Sequence, residues 1–236
     1  MAEPYIRTVD LCRFYRRGHY TVKALDNVSI TVHRGEFLGI VGSSGSGKTT
    51  LLNLLAGLDT PTSGVVDLGG VPLTKMSRRQ LSSYRAQKVG MIFQSFNLIG
   101  HYSALQNVET ALYFSSTTPA DRRRLAAAAL EQLGLADRIT HRPSDLSGGE
   151  QQRVAVARAI VKKPEILFAD EPTGNLDQEN SDQIASLLTS LNQGGLTIIM
   201  VTHNLEMAER EAHRAIKMHY GHVVQAGTSA RGEERP

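Results

Sequence analysis

The most constraining feature of this sequence is a glycine-rich segment at residues 42–49, which fits the pattern G-x-x-x-x-G-K-[ST] at every fixed position. An apolar run at residues 37–41 precedes it, and a run with helical character at residues 50–56 follows it. A strand, a glycine loop and a helix in this order form the setting in which the pattern binds a nucleoside triphosphate. The candidate phosphate-binding residues are Gly42, Ser43, Ser44, Gly45, Ser46, Gly47, Lys48, Thr49 and Thr50.

The residue types in this loop suit a polyphosphate anion. Glycines allow a tight turn that brings backbone N–H groups close to phosphate oxygens, and the positive end of the following helix points to the same place. Lys48 supplies a positive charge for the outer phosphates, and the Thr49 hydroxyl is a candidate ligand of Mg²⁺. The alternative is a glycine-rich turn with a chance lysine, and the flanking strand and helix argue against it.

Composition limits the class of protein. The 236 residues are 41% hydrophobic and 21% charged, as in ordinary soluble domains, and the net charge of +3 is too small to indicate a nucleic acid or a membrane surface as partner. Cys12 is the single cysteine, which fits a reducing compartment. No apolar run approaches the ~18 residues of a membrane span, and the N-terminus lacks the features of a signal peptide. We therefore expect a cytoplasmic chain that reaches a membrane only through another chain.

Short apolar runs alternate with helical stretches, which predicts an α/β fold whose parallel sheet is covered on both faces. The predicted strands occupy residues 5–11, 24–32, 37–41, 65–68, 89–93, 166–169 and 196–202, and the predicted helices include 74–88 and 121–133. Residues 95–164 are interpreted as a largely helical insertion between strands. We expect one domain over residues 1–226 and a disordered, small and charged tail at 227–236.

Polar residues follow several of the predicted strands, namely Gln94, the pair Asp170 and Glu171, and His203. Because ligands of parallel sheets gather at the carboxyl ends of the strands, these residues should meet the phosphate loop in one active site. Asp170 is the candidate magnesium ligand. Glu171, expected from strand alternation to point the other way, is the candidate group that polarises a water molecule. His203 is the candidate group that orients the phosphate or the attacking water.

A second glycine-led helix start lies in the helical insertion and comprises Ser147, Gly148, Gly149 and Glu150. A serine hydroxyl and free backbone N–H groups at such a start can bind an anion. One chain needs only one phosphate loop, so this second start is a candidate site for the nucleotide of a second copy. The alternative is an ordinary capped helix with a glycine turn. Upstream of the phosphate loop, Tyr15 and Tyr20 are both candidates for stacking on a nucleotide base, and a surface or core position explains either one equally well.

Taken together, these segments resemble the ATP-binding cassette (ABC) family over nearly the whole chain. The glycine loop is similar to the family's Walker A loop, and Gln94 is similar to the Q-loop glutamine. Residues 146–150 are similar to the signature sequence, which is the family's most diagnostic motif, and residues 166–170 resemble Walker B. The resemblance implies a P-loop NTPase of ABC type, with a mainly parallel core sheet, an antiparallel β subdomain and an inserted helical subdomain.

The resemblance also implies roles for single residues. Glu171 corresponds to the catalytic glutamate, His203 to the switch histidine and Asp177 to the D-loop aspartate, while Tyr15 fits the base-stacking aromatic better than Tyr20. The implied cofactors are ATP and Mg²⁺, and the implied reaction is hydrolysis of ATP to ADP and phosphate. Two copies would face each other head to tail, so that each ATP lies between the Walker A loop of one copy and the signature residues of the other. The implied magnesium ligands are Thr49, Gln94 and Asp170, and Lys48 assists catalysis.

Residues 57–64 and 172–177 look like those of the MacB and LolD branch of this family, which includes macrolide exporters, lipoprotein-releasing systems and cell-division ATPases of the FtsE type. This branch implies a homodimer that works with membrane permease subunits carrying extracytoplasmic domains, and a position at the cytoplasmic face of the inner (plasma) membrane. The sequence departs from MacB itself, which carries its membrane domain in the same chain. Export, lipoprotein release and mechanotransmission all stay open.

Two further classes are alternatives to a transport ATPase. Soluble ABC proteins of DNA repair carry long coiled-coil insertions, and those of ribosomes carry two cassettes, neither of which this sequence shows. An inactive regulatory cassette would have degraded motifs. The transport class further implies that a groove between the helical insertion and the Gln94 loop receives a coupling helix of the membrane partner, with Phe96, Asn97, Leu98 and Tyr102 nearby.

Overall fold

The computed structural model describes residues 4–226, and the tail predicted at 227–236 lies outside the described residues. The strands are β1 (Pro4–Arg17), β2 (Tyr20–Val28), β3 (Thr31–His33), β4 (Phe37–Val41), β5 (Ser63–Leu68), β6 (Val71–Pro72), β7 (Val89–Phe93), β8 (Ile166–Asp170), β9 (Thr197–Thr202), β10 (Arg214–His219) and β11 (His222–Ala226). The α-helices are α1 (Lys48–Leu55), α2 (Arg78–Lys88), α3 (Ala104–Glu109), α4 (Pro119–Gln132), α5 (Gly148–Ile160), α6 (Gln178–Gln193) and α7 (Leu205–Glu211). Short 3₁₀ turns cover Leu73–Lys75, Thr110–Leu112, Ala136–Arg138 and Pro143–Asp145.

The core is a six-stranded sheet in the order β11-β10-β4-β9-β8-β7, in which every pair is parallel except β10 with β11. Its central strands are apolar on both sides, and all six residues of β9 are buried. Side chains that alternate along β8 enter different apolar clusters: Leu167 and Ala169 pack with the inserted helices, whereas Ile166 and Phe168 pack with α1 and the second sheet. The predicted parallel sheet with two covered faces is confirmed.

A second, antiparallel sheet has the order β2-β1-β5-β6, with β3 also paired to β1. The sequence predicted a single strand at residues 24–32, and this is wrong. Asn27 adopts a left-handed φ of 54°, and the chain leaves the strand after Val28 before it pairs again as β3. Thr8 on β1 spans the break, because its Oγ1 donates to the carbonyl oxygen of Val28 and accepts from the N–H of Ile30. As a result, β2 and β3 both pair with β1.

Three α-helices form the insertion between β7 and β8, as predicted. The α4 helix starts two residues before the predicted start, because Thr118 caps it by accepting a hydrogen bond from the N–H of Asp121, and Pro119 suits the first turn. The helix is followed by Gly134, whose φ is 71°. Within the described residues no helix is long and apolar enough to cross a membrane. The fold places β4, β9, β8 and β7 side by side, so their carboxyl ends share one edge.

Candidate active site

The phosphate loop joins β4 to α1 at that edge. Gly47, just before α1, has a φ of 102°, and a Cβ atom there would collide with the carbonyl oxygen of Ala24 on β2. Glycine therefore lets the loop pack against the antiparallel sheet. The ammonium of Lys48 donates to the carbonyl oxygens of Gly42 at 2.8 Å and of Ser43 at 3.1 Å. The charge of Lys48 thus lies inside the curve of the loop.

A cavity of about 520 Å³ opens beside the loop. This volume is in the usual range of small-molecule sites, about 300–1,000 Å³. The cavity is lined by Val22, Lys23, Ala24, Ser44, Gly45, Gly47, Lys48, Thr49, Thr50, Gln94, Glu171 and His203. The structure therefore brings the loop together with polar residues from the ends of three neighbouring strands.

Asp170 ends β8 next to the loop, and its Oδ1 accepts a hydrogen bond of 3.1 Å from Oγ1 of Thr49. Burial raises the pKa of Asp170 and the charge of Glu171 acts in the same direction, while the bond from Thr49 opposes them. A carboxylate and a hydroxyl this close are hard oxygen donors of the kind that bind Mg²⁺. Residues 4–226 contain no group of three or more His, Cys, Asp or Glu side chains that could hold a metal by themselves.

Glu171 follows β8 with a left-handed φ of 48°, which is uncommon for a residue other than glycine. This backbone turn, and not strand alternation as the sequence suggested, sets the direction of its side chain. Its Oε2 accepts a hydrogen bond of 3.2 Å from the backbone N–H of His203 and lies 2.9 Å from Nδ1 of the His203 ring. The Glu171 side chain is 15% exposed and that of His203 is 68% exposed. A largely buried carboxylate that contacts a histidine at the edge of a polar cavity can polarise a water molecule.

Gln94 reaches the cavity from the end of β7. Its partner there is Asn175, a contact that the sequence does not predict. Asn175 donates from Nδ2 to the carbonyl oxygen of Gln94 at 3.0 Å, and its Oδ1 lies 3.5 Å from Nε2 of Gln94. The loop after β7 is thereby tied to the segment that leads from Walker B to α6. Two of the three candidate magnesium ligands, Thr49 and Asp170, are in contact, whereas Gln94 is turned to Asn175.

The second glycine-led start is the capped start of α5. Oγ of Ser147 accepts a hydrogen bond from the N–H of Glu150 at 3.2 Å, and Oε2 of Glu150 accepts one from the N–H of Ser147 at 2.8 Å. Arg138 donates from Nε to Oε1 of Glu150 at 3.0 Å. The hydrogen bond from the Ser147 backbone, with Arg138 adding to it, lowers the pKa of Glu150. Residues 147–150 all lie in the described part of the chain, and none of them lines the cavity.

The start of α5 packs directly against the start of α6. A Cβ atom at Gly149 would overlap the side-chain amide of Asn180. That amide donates to both carboxylate oxygens of Asp177, at 3.0 and 2.9 Å, and Asp177 caps α6 through the N–H of Asn180 at 2.8 Å. These hydrogen bonds lower the pKa of Asp177. Asp177 and the signature residues therefore lie next to one another, and none of them lines the cavity of the same chain.

The two aromatic candidates differ in their surroundings. The hydroxyl of Tyr15 donates to Oδ2 of Asp59 at 2.8 Å, and the guanidinium of Arg13 lies 4.5 Å from the centre of the Tyr15 ring. Tyr15 is paired across the sheet with Val22, which lines the cavity, whereas Tyr20 is 65% exposed at the start of β2. Neither tyrosine lines the cavity itself. The sheet therefore places Tyr15 beside a lining residue.

Val22, Lys23 and Ala24 line the cavity, and no motif in the sequence predicts this. The available signal is weak: they lie in the strand region before the phosphate loop, and Val22 pairs with the candidate Tyr15. Their contact with the cavity follows from the packing of β2 on the loop, which is visible only in three dimensions.

A second concave surface, which we call the insert groove, has a volume of about 310 Å³ and lies between the core and the inserted helices. Its lining is Ala56, Leu58, Arg85, Val89, Met91, Phe93, Asn97, Ala111, Arg158, Ala159 and Lys162. The cationic side chains donate to backbone carbonyl oxygens: Arg85 to Gly57, and Lys162 to Arg85. Burial lowers the pKa of Lys162 to about 8. The groove is thus largely apolar with positive charge along it.

Comparisons with known proteins agree with this geometry. A family model described as "ABC transporter" matches residues 25–174, which is more than half of the chain. The chain is 43% identical to the macrolide export ATP-binding/permease protein MacB of Hyphomonas neptunium, covering 100% of this chain and 37% of that protein. It is 47% identical to MacB of Chlorobaculum tepidum, covering 93% of this chain and 33% of that protein. The chain therefore spans about a third of the length of these relatives.

Solved structures show the same likeness. A dimeric post-hydrolysis state of the ATP-binding cassette MJ0796, bound to ADP and Pi, has a TM-score of 0.87 and 37% identity, covering 94% of this chain and 98% of that chain. The cbiO1 protein of Clostridium perfringens, part of the transporter complex cbiONQ, has a TM-score of 0.84 and 28% identity, covering 96% of this chain and 89% of that chain.

Proposed function

The chain belongs to the ABC transporter family, and we propose that it binds and hydrolyses ATP to power a membrane-embedded permease. The observation that carries this proposal is the convergence of the phosphate loop, Asp170, the pair Glu171 and His203, and Gln94 at one edge of the core sheet. The MacB relatives are named export ATP-binding/permease proteins, and the MJ0796 structure holds the products of ATP hydrolysis. These names favour transport over the alternative of a soluble repair or ribosomal cassette.

Within the cavity, the backbone N–H groups of residues 42–49 and the ammonium of Lys48 would bind the phosphates. Thr49 and Asp170 fit Mg²⁺ because their oxygens lie 3.1 Å apart beside the loop, and Gln94 would join them after turning from Asn175. The ion would offset the charge of the phosphates when bound. Catalysis of this kind depends mainly on positioning and charge stabilisation.

Glu171 would act as the general base that orients the attacking water. Its carboxylate is fixed by the backbone N–H and the ring of His203, so it needs little rearrangement before the reaction. His203 is largely exposed on its other side and would reach the terminal phosphate. Tyr15 would stack on the base, since its strand partner Val22 already lines the cavity.

A head-to-tail homodimer would complete each site. Ser147, Gly148 and Gly149 lie at a capped helix start outside the cavity of their own chain, as expected of residues that bind the nucleotide of a second copy. Asp177 lies next to these residues. We assign Glu150 to shaping this helix start, because its carboxylate is already bound to Ser147 and Arg138. The ATP-binding cassette MJ0796, which is similar to this chain, is dimeric in two solved structures.

The insert groove would receive a segment of the permease, which would hold the chain at the cytoplasmic face of the inner (plasma) membrane. Its apolar lining suits an apolar helix. Among the described residues, 4–226, the polar partners of Arg85 and Lys162 are backbone carbonyl oxygens, so a carboxylate on that segment would complement them. We further propose, from the MacB and LolD likeness, that the permease carries an extracytoplasmic domain and that the complex exports a compound, releases a lipoprotein or transmits force.

A Glu171→Gln variant tests the ATPase assignment. It should bind ATP as tightly as the wild type, hydrolyse it at least about 100-fold more slowly, and accumulate as a dimer with ATP on a sizing column. Glu131→Gln, an exposed position on α4, is the matched control and should behave as the wild type. Hydrolysis by Glu171→Gln at the wild-type rate would show that the base has been assigned wrongly.

A pull-down tests the transport assignment separately. The tagged Glu171→Gln chain would be purified with ATP from solubilised membranes, and we expect a permease with an extracytoplasmic domain to come with it. Recovery of ribosomes or DNA-processing factors, with no membrane protein, would refute the transport role and leave the ATPase assignment standing.

A further inference from the structure

The turn that follows Gln94 has a strained backbone. Phe96 and Asn97 are consecutive and both left-handed, with φ values of 59° and 51°. Asparagine tolerates this region, but phenylalanine rarely adopts it. Such a conformation persists only where surrounding contacts hold it.

Besides backbone hydrogen bonds within the turn, two contacts from Arg158 on α5 hold it. Its Nη1 donates to the carbonyl oxygen of Asn97 at 2.6 Å, and its Nη2 donates to the carbonyl oxygen of Phe96 at 2.7 Å. The planar guanidinium fits two neighbouring acceptors at once, which a lysine could not do. Within residues 4–226, Arg158 forms no ion pair with a carboxylate, and burial lowers its pKa. The two carbonyl oxygens are therefore its main polar partners.

Arg158 lies where three functional parts of the chain meet. Its helix begins at Ser147, its guanidinium holds a turn two residues after Gln94, and its side chain lines the insert groove beside Asn97. If the turn relaxes, Gln94 keeps its contacts with Asn175 but loses the support of the segment that follows it.

We propose that Arg158 is a positioning residue: by holding the turn at Phe96 and Asn97 it keeps Gln94 in place at the nucleotide site. The proposal rests on the proposed function, because Gln94 is a magnesium ligand only in that assignment.

A double-mutant cycle on the purified full chain tests the proposal. Arg158→Ala should lower the kcat for MgATP hydrolysis about tenfold, the effect of losing hydrogen bonds from a charged donor, with little change in the KM for ATP. It should also raise the half-saturating Mg²⁺ concentration by about the factor that Gln94→Ala does. In the Gln94→Ala background, Arg158→Ala should have no further effect on either quantity. Arg158→Lys, which keeps the charge but can reach fewer acceptors, should fall between the wild type and Arg158→Ala.

Arg153→Ala is the matched control, because Arg153 lies on the same helix and donates to Oε1 of Gln183 on the surface; it should leave kcat and the Mg²⁺ dependence unchanged. Independent, multiplying effects of Arg158→Ala and Gln94→Ala would overturn the proposal, as would a wild-type Mg²⁺ dependence in Arg158→Ala. If Arg158→Ala does not fold, the same cycle with Arg158→Lys gives the same test. If Gln94→Ala alone matches the wild type, the magnesium assignment fails and not only the role of Arg158.

Discussion

The contact between Gly149 and Asn180 makes a sharp prediction about stability. In Gly149→Ala the new methyl group would overlap the Asn180 amide, so that side chain must rotate away. Rotation breaks its two hydrogen bonds to Asp177. We therefore expect Gly149→Ala to be destabilising, although alanine ordinarily favours a helix.

The magnitude follows from opposing effects. Each lost hydrogen bond costs about 0.5–1.5 kcal/mol, or about 1–3 kcal/mol for both. Replacing glycine by alanine inside a helix returns about 0.8–1 kcal/mol. Gly149→Ala should thus lower the free energy of unfolding by about 1 kcal/mol. In an Asn180→Ala background the overlap with the amide is gone and only a tight approach of 3.2 Å to Cβ of residue 180 remains, so the same substitution should no longer be destabilising and should raise the free energy of unfolding by at most about 1 kcal/mol.

Urea unfolding of the wild type, the two single variants and the double variant gives the coupling energy between the positions. We expect about 1–3 kcal/mol, the value of the hydrogen bonds that the collision breaks. The control is Ser190→Ala, on the far part of α6. Gly195→Ala would not serve, because Gly195 has a φ of 94°, which alanine rarely adopts. If the effects of Gly149→Ala and Asn180→Ala simply add, the starts of α5 and α6 are not packed as described. ATP hydrolysis should be lost in Gly149→Ala and in the double variant alike, because in both the added methyl group lies at the helix start assigned to the nucleotide of the second copy.

Three other predictions concern single groups. Lys162 should titrate near pH 8 by NMR of its ¹³Cε, as burial requires, and a normal lysine titration above pH 10 would contradict the buried position. Tyr15→Phe should raise the KM for ATP about fivefold, the effect of one lost hydrogen bond of ~1 kcal/mol, because the ring loses the hydrogen bond to Asp59 that holds it in place; an unchanged KM would argue against Tyr15 as the base-stacking residue. The side-chain hydrogen bond from Lys88, with smaller contributions from other neighbours, lowers the pKa of Glu165 in the folded chain. The ionised Glu165 therefore stabilises the fold fully above the unfolded glutamate pKa of about 4.3, and this stabilisation is lost as the pH falls through the lower folded pKa. Acid unfolding of Glu165→Gln should therefore be less steep in that window than that of the wild type.

The parts of the fold that the sequence predicts are those encoded by local pattern. The strands of the core sheet are continuous apolar runs because both faces are buried, and α4 has an alanine-rich body followed by Gly134. The convergence of Gln94, Glu171 and His203 with the phosphate loop could be anticipated, because parallel strands place their carboxyl ends at one edge. Sequence pattern is sufficient where the geometry of one element decides the outcome.

The parts that were not predicted depend on contacts between distant segments. The break between β2 and β3 depends on Thr8, which lies far away in the sequence. The direction of the Glu171 side chain depends on a left-handed φ that no local pattern marks. The pairing of Gln94 with Asn175 and the hold of Arg158 on its turn likewise join segments that are separated in the chain and meet only after folding.

The α5 start does not line the cavity of its own chain, and this has a consequence for genetic complementation. In the proposed dimer, a copy defective at Lys48 inactivates the site that contains its own phosphate loop. A copy defective at Ser147 inactivates the site that contains the phosphate loop of the other copy. When one copy of each kind pairs, both defects fall in the same site and the other site is whole. Two alleles that are each inactive alone should therefore restore part of the activity when they are expressed together.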